Sequence, residues 1–421
     1  MNYFQNNNGQ LCAENVALST IAREVGTPVY VYSAATFTRH YLAFANAAKD
    51  LDHLIAYSVK ANSNLAVLKL LGGLGAGADV VSGGELERAL RAGIAPEKIV
   101  FSGVGKSKSE MRAALAVGIY QFNVESVSEL MALSAVATDM GKTAPVALRI
   151  NPDVNAGGHE KISTGNAENK FGIDITLARE AYAKIRDLPG VEVTGVDMHI
   201  GSQIDSLAPF ESAMDKILDL VKTLRNDGHN VRTYDLGGGL GIPYDEDIDE
   251  PPLPAAYGAM VARKTKDYDL KIIFEPGRAI AGNSGILLSQ VKYIKSGGAR
   301  NFLILDAAMN DLIRPALYGA HHAIEPVNTD NASEKTVAYD VVGPVCETGD
   351  TFATLREMPP MREGDLVAIR SAGAYGAVQA SEYNTRPLVP EVMVSGDKYA
   401  VIRKRPSIDD ILKAETIPDW I

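Results

Sequence analysis

The sequence predicts an α/β protein with two domains. The first is a (β/α)8 TIM barrel over residues 27–282. The second is a mostly antiparallel β-domain over residues 283–421, joined by residues 1–26. Three observations carry this expectation. A chain of 421 residues exceeds one comfortable core. Short apolar runs alternate with helical patterns as far as about residue 282. Beyond that point the helical spacing gives way to β-rich segments broken by glycine, proline and charge.

The strand candidates are, in order, "LIAYSV", "GADVV", "KIVFSG", "YQFNV", "PVALRI", "GVDMHI", "TYDLG" and "KIIFEP". Eight buried strands alternating with helices favour a closed barrel over a doubly wound open sheet. "GGELERALRAG" illustrates the intervening helices: Leu86, Ala89 and Leu90 share one face and Gly93 supplies a stop. The later β-segments are "ILLSQVKYIKSG", "NFLILDAAM", "TVAYDVVGPV", "DLVAIRSAGAY" and "YAVIRKR". "VYVYS", near residue 30, precedes the barrel pattern and is a candidate for the second domain.

Composition narrows the function. A net charge of −11 argues against nucleic acid or an anionic membrane as main partner. Two cysteines, Cys12 and Cys346, exclude a disulfide framework and fit a reducing compartment. The first residues show no secretory pattern, and no apolar run reaches bilayer length. A soluble cytoplasmic protein is expected, with no metal.

In barrels of this kind chemistry sits at the C-terminal ends of the strands. Those ends carry Lys60, Asp79, His199, the run "DLGGGLG" from Asp235 to Gly241, and "EPGR" from Glu275 to Arg278. Each alone has a plain reading. Lys60 could snorkel to water, Asp79 could cap the next helix, His199 could be structural and the glycines a simple turn. "GGGLG" fails the dinucleotide fingerprint, and the "GK" pairs at Gly105 and Gly141 lack the P-loop glycine. Together the residues resemble a pyridoxal phosphate site. A lysine there forms a Schiff base, glycine backbone cradles the phosphate, and a carboxylate such as Glu275 favours the protonated ring nitrogen.

"YSVKAN", "ADVVSGGEL", "HIGSQI", "DLGGGLGI", "EPGR", "RPALYGAHHAI", "CETGD" and "AGAYG" stand in the order found in diaminopimelate decarboxylases. The chain resembles that family over nearly its whole length, including the loop "NPDVNAGGHEKISTGNAENKFGI". The resemblance implies a pyridoxal 5'-phosphate enzyme with an alanine-racemase-like barrel. It further implies a homodimer with shared active sites and decarboxylation of meso-2,6-diaminopimelate to L-lysine. Lys60 would carry the cofactor, near Asp79, and His199 would stack on the ring. Glu275 would meet the ring nitrogen, and Gly237, Gly238, Gly239, Gly277, Arg278 and Tyr375 would help hold the cofactor. Arg278, Arg314, Tyr318 and Tyr375 would receive the substrate, Glu347 its distal ammonium. Cys346 would donate the proton that replaces carbon dioxide, with "CETGD" reaching the site from the partner subunit. Acidic neighbours Glu347 and Asp350 favour a protonated thiol over a thiolate nucleophile. Two departures stand out: Thr348 where serine is common, and His321 where an aromatic ring is often found. Three rivals remain open at this point. One is a decarboxylase of the same family acting on ornithine, arginine, carboxynorspermidine or a carrier-bound amino acid. Another is a racemase, which would set an arginine where "EPGR" sets Glu275. The third is an inactive homologue, which would be expected to lack Lys60 or Cys346.

Overall fold

The computed structural model describes residues 2–157, 170–245, 250–328 and 335–421. Residues 158–169 of the loop noted above lie outside the described residues. The chain divides into two compact units. One comprises Thr38–Pro243 and Ile248–Ile280; the other comprises Met1–Phe37, Tyr244–Asp247 and Ala281–Ile421.

Among the described residues, the first unit is built on eight parallel strands in a closed ring. These are His53–Ser58, Gly77–Val80, Ile99–Phe101, Gln121–Val124, Ala144–Asn151, Val191–Asp197, Thr233–Asp235 and Lys271–Phe274. Sequential neighbours pair, and Lys271–Phe274 pairs back onto His53–Ser58, which closes the barrel. All eight expected runs are barrel strands. They read as near-continuous apolar runs because both the barrel interior and the helix layer exclude water. Phe101, Phe122, Val146, Leu148, Ile272 and Ile273 are fully buried.

The helices follow local signals. Helix Gly83–Arg91 starts because the Ser82 hydroxyl accepts from the Glu85 N–H, and it buries Leu86 and Ala89. Just past its end Gly93 takes φ +84, a conformation that suits glycine.

One strand departs from the apolar pattern with a purpose. In Gln121–Val124 the alternation sends Gln121 and Asn123 to one face, and both are fully buried. Gln121 accepts from Thr233 Oγ1 at 2.7 Å and Thr194 Oγ1 at 3.1 Å, and donates to Asn123 Oδ1 at 2.8 Å. A hydrogen-bonded column therefore climbs the barrel interior and ends among the buried carboxyls Asp235 and Glu275.

The second unit is a mostly antiparallel sheet. Its five expected segments are the strands Gly285–Ser296, Asn301–Leu305, Val337–Val342, Leu366–Ile369 and Lys398–Arg403. The strand Val29–Ser33 lies inside this sheet, antiparallel to Gly285–Ser296 and parallel to Glu391–Ser395. Val29, Val31, Ile286, Leu288, Val392 and Val394 are buried together there. Each such side chain contributes about 1.5–3 kcal/mol. The sheet also takes in Thr351–Met358, whose run of Leu355, Arg356 and Glu357 masks the strand signal; Leu355 and Glu357 are exposed and Arg356 is half-buried. A small meander, Phe4–Asn7, Gln10–Ala13 and Val16–Ala17, opens the chain.

Candidate active site

Lys60 sits on a single turn, Val59–Ala61, immediately after the first barrel strand. Its ammonium donates to Asp79 Oδ2 at 2.9 Å; the lysine side chain is 35% exposed and the aspartate fully buried. Ser58 Oγ donates to the same carboxylate oxygen at 2.8 Å. Asp79 does not cap the following helix; Ser82 does that. The aspartate instead anchors the lysine at the strand end. Its second oxygen, Oδ1, is buried and has no hydrogen-bond partner among the described residues. A buried carboxylate oxygen left open in this way points to a group that is supplied from outside the chain.

"HIGSQI" and "DLGGGLGI" form two interlocked loops at the neighbouring strand ends. Ile204 N–H donates to Gly239 O, and Gly241 N–H to Ile204 O. The Gln203 side chain braces them, donating to Ile242 O at 2.6 Å and accepting from Ile242 N–H at 3.2 Å. The glycines are required by space. A Cβ on Gly237 would stand 2.5 Å from Met198 O, and one on Gly239, at φ +111, 2.6 Å from Gly201 O. The Gly238 N–H donates to His199 Nδ1 at 3.1 Å. That bond requires Nδ1 to be unprotonated, so the imidazole is neutral with its proton on Nε2. Burial, then the charges of Arg149 and Lys60, push the His199 pKa well below its usual value, in agreement with a neutral ring.

Glu275 follows the last barrel strand and is buried. It accepts from Ser102 Oγ at 3.2 Å and from Asn123 Nδ2 at 3.4 Å. Asn123 Nδ2 also donates to Asp235 Oδ2 at 2.9 Å. Asp235 and Glu275 thus share the Asn123 amide as a donor, two buried carboxyls whose charges oppose each other's ionisation. Burial, then the charge of Asp235, raises the Glu275 pKa well above the ordinary carboxylate range. Burial pushes Asp235 up to about 7. Arg278 is buried and donates to Ser202 Oγ at 3.0 Å; Gly277, beside it, accepts from Ile280 N–H.

The remaining sequence-selected residues belong to the second unit. Arg314 opens the short helix Arg314–Tyr318 and is buried. Tyr318 OH accepts from Gln379 Nε2 at 3.5 Å. Tyr375 holds a left-handed backbone, φ +56, costly for a bulky residue and a conformation that collects at functional sites. Cys346 and Glu347 are exposed on the "CETGD" turn. Asp350 does not face the thiol. It is buried and takes the N–H groups of Met309 and Val345, each at 2.7 Å, pinning the turn from below. The thiol's own partner is Asn384: Nδ2 donates to Sγ at 3.4 Å, while Oδ1 accepts from the Cys346 N–H at 3.2 Å.

Several participants carried no sequence signal of their own. Ser102, Asn123 and the side chains of Ser58 and Gln203 are ordinary polar residues until the fold converges them, and Asp235 stands out only as the start of the glycine run. Asn384 gave one hint, a residue type that tolerates the left-handed region, which it occupies at φ +57.

The comparisons with known proteins now bear on this geometry. The model of the pyridoxal-dependent decarboxylase family, pyridoxal binding domain, matches residues 34–282. Diaminopimelate decarboxylase of Zymomonas mobilis is 52% identical, covering 99% of each chain. The chain belongs to the diaminopimelate decarboxylase family. Among solved structures of the family, the Helicobacter pylori diaminopimelate decarboxylase complexed with L-lysine is 41% identical, with a TM-score of 0.90. It covers 94% of this chain, which in turn covers 98% of it. The M. jannaschii diaminopimelate decarboxylase in co-complex with L-lysine is 35% identical over the whole of both chains, with a TM-score of 0.94. The barrel that this family shares is the unit in which Lys60, Asp79, His199 and Glu275 lie.

Proposed function

We propose that this chain is a pyridoxal phosphate-dependent diaminopimelate decarboxylase. It converts meso-2,6-diaminopimelate to L-lysine and carbon dioxide, the last step of lysine biosynthesis. The carrying observation is the Lys60 amine held at a barrel strand end by the buried Asp79, in a chain that aligns with the family end to end.

The residues fit the cofactor. An open buried carboxylate oxygen stands beside the amine, a glycine turn leaves no room for side chains, and the carboxyl of Glu275 is buried at a strand end. When bound, pyridoxal phosphate supplies an aldehyde for amine chemistry and a ring that accepts the electron pair left by departing carbon dioxide. Lys60 provides the amine that carries the cofactor, and Asp79 orients it. His199, neutral and tethered to Gly238, offers a flat uncharged ring for stacking. Glu275 would set its carboxyl beside the ring nitrogen and favour the nitrogen's protonated form, and Asn123, shared with Asp235, keeps that carboxyl in place. A racemase-type site would present an arginine at that position. Gly237, Gly238 and Gly239 with Tyr375 would help hold the cofactor's phosphate, and Gly277 and Arg278 would contribute to the cofactor site.

For the substrate, Arg278, Arg314, Tyr318 and Tyr375 receive the retained carboxylate, and Glu347 the distal ammonium. Arginine suits a carboxylate through its planar fork. Ornithine has no second carboxylate for Arg314 to hold, which favours diaminopimelate. Cys346 transfers its Sγ proton to the carbon that loses carbon dioxide. We place the enzyme in the cytoplasm as a homodimer, with "CETGD" completing the partner's site. Exposure of Cys346 and Glu347 in the single chain supports that arrangement.

The test is to incubate the protein with pyridoxal phosphate and meso-diaminopimelate and resolve the product by chiral analysis. Equimolar L-lysine and carbon dioxide are expected, and Lys60→Ala should abolish both turnover and the near-visible absorbance of bound cofactor. Turnover retained by Lys60→Ala, or L-ornithine preferred over diaminopimelate, would overturn the proposal.

A further inference from the structure

His322 has no part in the roles described so far, yet it is 1% exposed, one of the more deeply buried polar side chains of the second unit. Its Nε2 lies 2.8 Å from Arg314 Nη1 and its Nδ1 lies 2.7 Å from the carbonyl oxygen of Arg370. These two contacts fix its proton. A guanidinium can only donate, so Nε2 must be the acceptor; a carbonyl can only accept, so Nδ1 must carry the hydrogen. The neutral Nδ1–H tautomer satisfies both contacts. An imidazolium satisfies one and sets its second N–H against a cation.

The other side of the guanidinium is held as well. Arg314 Cζ stands 4.5 Å from the centroid of the Tyr244 ring, and the Tyr244 and His322 rings meet edge-on at 5.3 Å and 77°. The planar fork of Arg314 is thereby fixed by one face and one N–H. Neighbouring His321, the residue that departs from the usual pattern, is exposed and lies 3.4 Å from Arg356 Nη2. The two adjacent histidines thus have different work.

We propose that His322 is a positioning residue that sets substrate selectivity: it orients Arg314 to grip the carboxylate that the reaction retains. This rests on the reading of Arg314 given above. The guanidinium of a free arginine samples many rotamers. One held by a donor-acceptor relay and a ring face loses little on binding a carboxylate. Affinity for ligands bearing that carboxylate is therefore expected to depend on His322, and affinity for the same chain without it is not.

The experiment uses the cofactor-loaded enzyme and measures calorimetric affinities for L-lysine and for 1,5-diaminopentane, which lacks the carboxylate. Steady-state KM and kcat for meso-diaminopimelate are measured alongside. His322→Phe keeps a ring against Tyr244 and removes both hydrogen bonds. It should weaken L-lysine binding and raise KM by about 10- to 100-fold. Diaminopentane affinity and cofactor absorbance should stay as in the parent. Arg314→Met is run beside it. If Arg314→Met weakens L-lysine binding while His322→Phe does not, the positioning role is overturned and the Arg314 reading stands. If Arg314→Met leaves L-lysine affinity unchanged, that reading falls and the proposal with it. Should His322→Phe fail to fold, His322→Gln and His322→Asn decide. Glutamine can set an amide oxygen where Nε2 stands and should preserve KM; asparagine reaches only the Nδ1 position and should raise it. Equal KM for the two would refute the relay.

Discussion

Gly238→Ala tests the site's construction most directly. The backbone φ of Gly238 is not in the left-handed region, so alanine brings no conformational penalty of its own; the effect is one of space. A Cβ there would stand under 3.0 Å from the Glu275 carbonyl oxygen, a separation that real Cβ atoms essentially never show. The atom met is backbone, and both segments are tied down: the Gly238 N–H donates to His199, the Glu275 N–H to Gly237 O and Ser58 Oγ to the Glu275 carbonyl oxygen. Neither can swing aside as a flexible side chain would. The glycine turn and the end of the last barrel strand must separate by several tenths of an ångström. Functional constellations tolerate about 0.5 Å. Overpacking that moves backbone costs about 1–3 kcal/mol. If that cost falls on the loaded state, cofactor affinity drops by about 5- to 150-fold. Equilibrium dialysis against pyridoxal phosphate, with far-UV circular dichroism to confirm the fold, gives the number. Gly105→Ala is the control, since nothing lies within 4 Å of its Cβ position. Affinity for Gly238→Ala within twofold of the parent would refute the idea that this turn is shaped for a ligand.

Other perturbations address the proton inventory and the thiol. Cys346→Ala should retain the cofactor absorbance and slow turnover by about 100-fold or more; unchanged turnover would remove Cys346 from the mechanism. Asn384→Ala, which deletes both contacts to Cys346, should slow turnover to a smaller extent with KM preserved, as read by steady-state kinetics. Asp235 ionises near 3.8 when unfolded but only at about 7 when folded. Across that window the folded chain binds the extra proton, so this group's contribution to stability is lost as pH rises from 3.8 towards 7. Urea midpoints measured without added cofactor should fall between pH 4.5 and pH 7.5, and fall less in Asp235→Asn. Parallel curves for the two proteins would show that the proton on Asp235 has no thermodynamic weight.

The barrel was legible because its strands are short, apolar and separated by capped helices. "LIAYSV" and "KIIFEP" can be recognised without knowing that they pair with each other. Lys60, His199 and Glu275 could be picked because each breaks an apolar run at a strand end. Their partners could not. Ser102 and Asn123 become relevant only when strands far apart in sequence close a ring, and no local pattern encodes that closure. Thr351–Met358 escaped notice because exposed Thr354, Leu355 and Glu357 break the alternation between its two buried residues, Phe352 and Met358. Asp350 misled for the opposite reason: adjacency in "CETGD" suggested a neighbour of the thiol, whereas the turn sends its carboxylate inward to backbone N–H groups. His322 was overshadowed by His321, since two adjacent identical residues give no sign of which one faces in.

The placement of Val29–Ser33 inside the second sheet has a consequence for biosynthesis. This strand pairs with Gly285–Ser296 on one side and with Glu391–Ser395 on the other. The ribosome releases this strand before either partner, and Glu391–Ser395 follows only after the barrel sequence and Gly285–Ser296. At about 5–20 residues/s the strand waits some tens of seconds, while the barrel sequence is synthesised. Until Gly285–Ser296 emerges, five consecutive residues that are all buried in the finished protein have no sheet to enter. The nascent chain therefore carries an apolar strand with open edges, and its yield should depend on chaperones that shield the N-terminal segment. A circular permutant that begins after the barrel and appends residues 1–37 beyond the present C-terminus would shorten the wait and relieve that dependence.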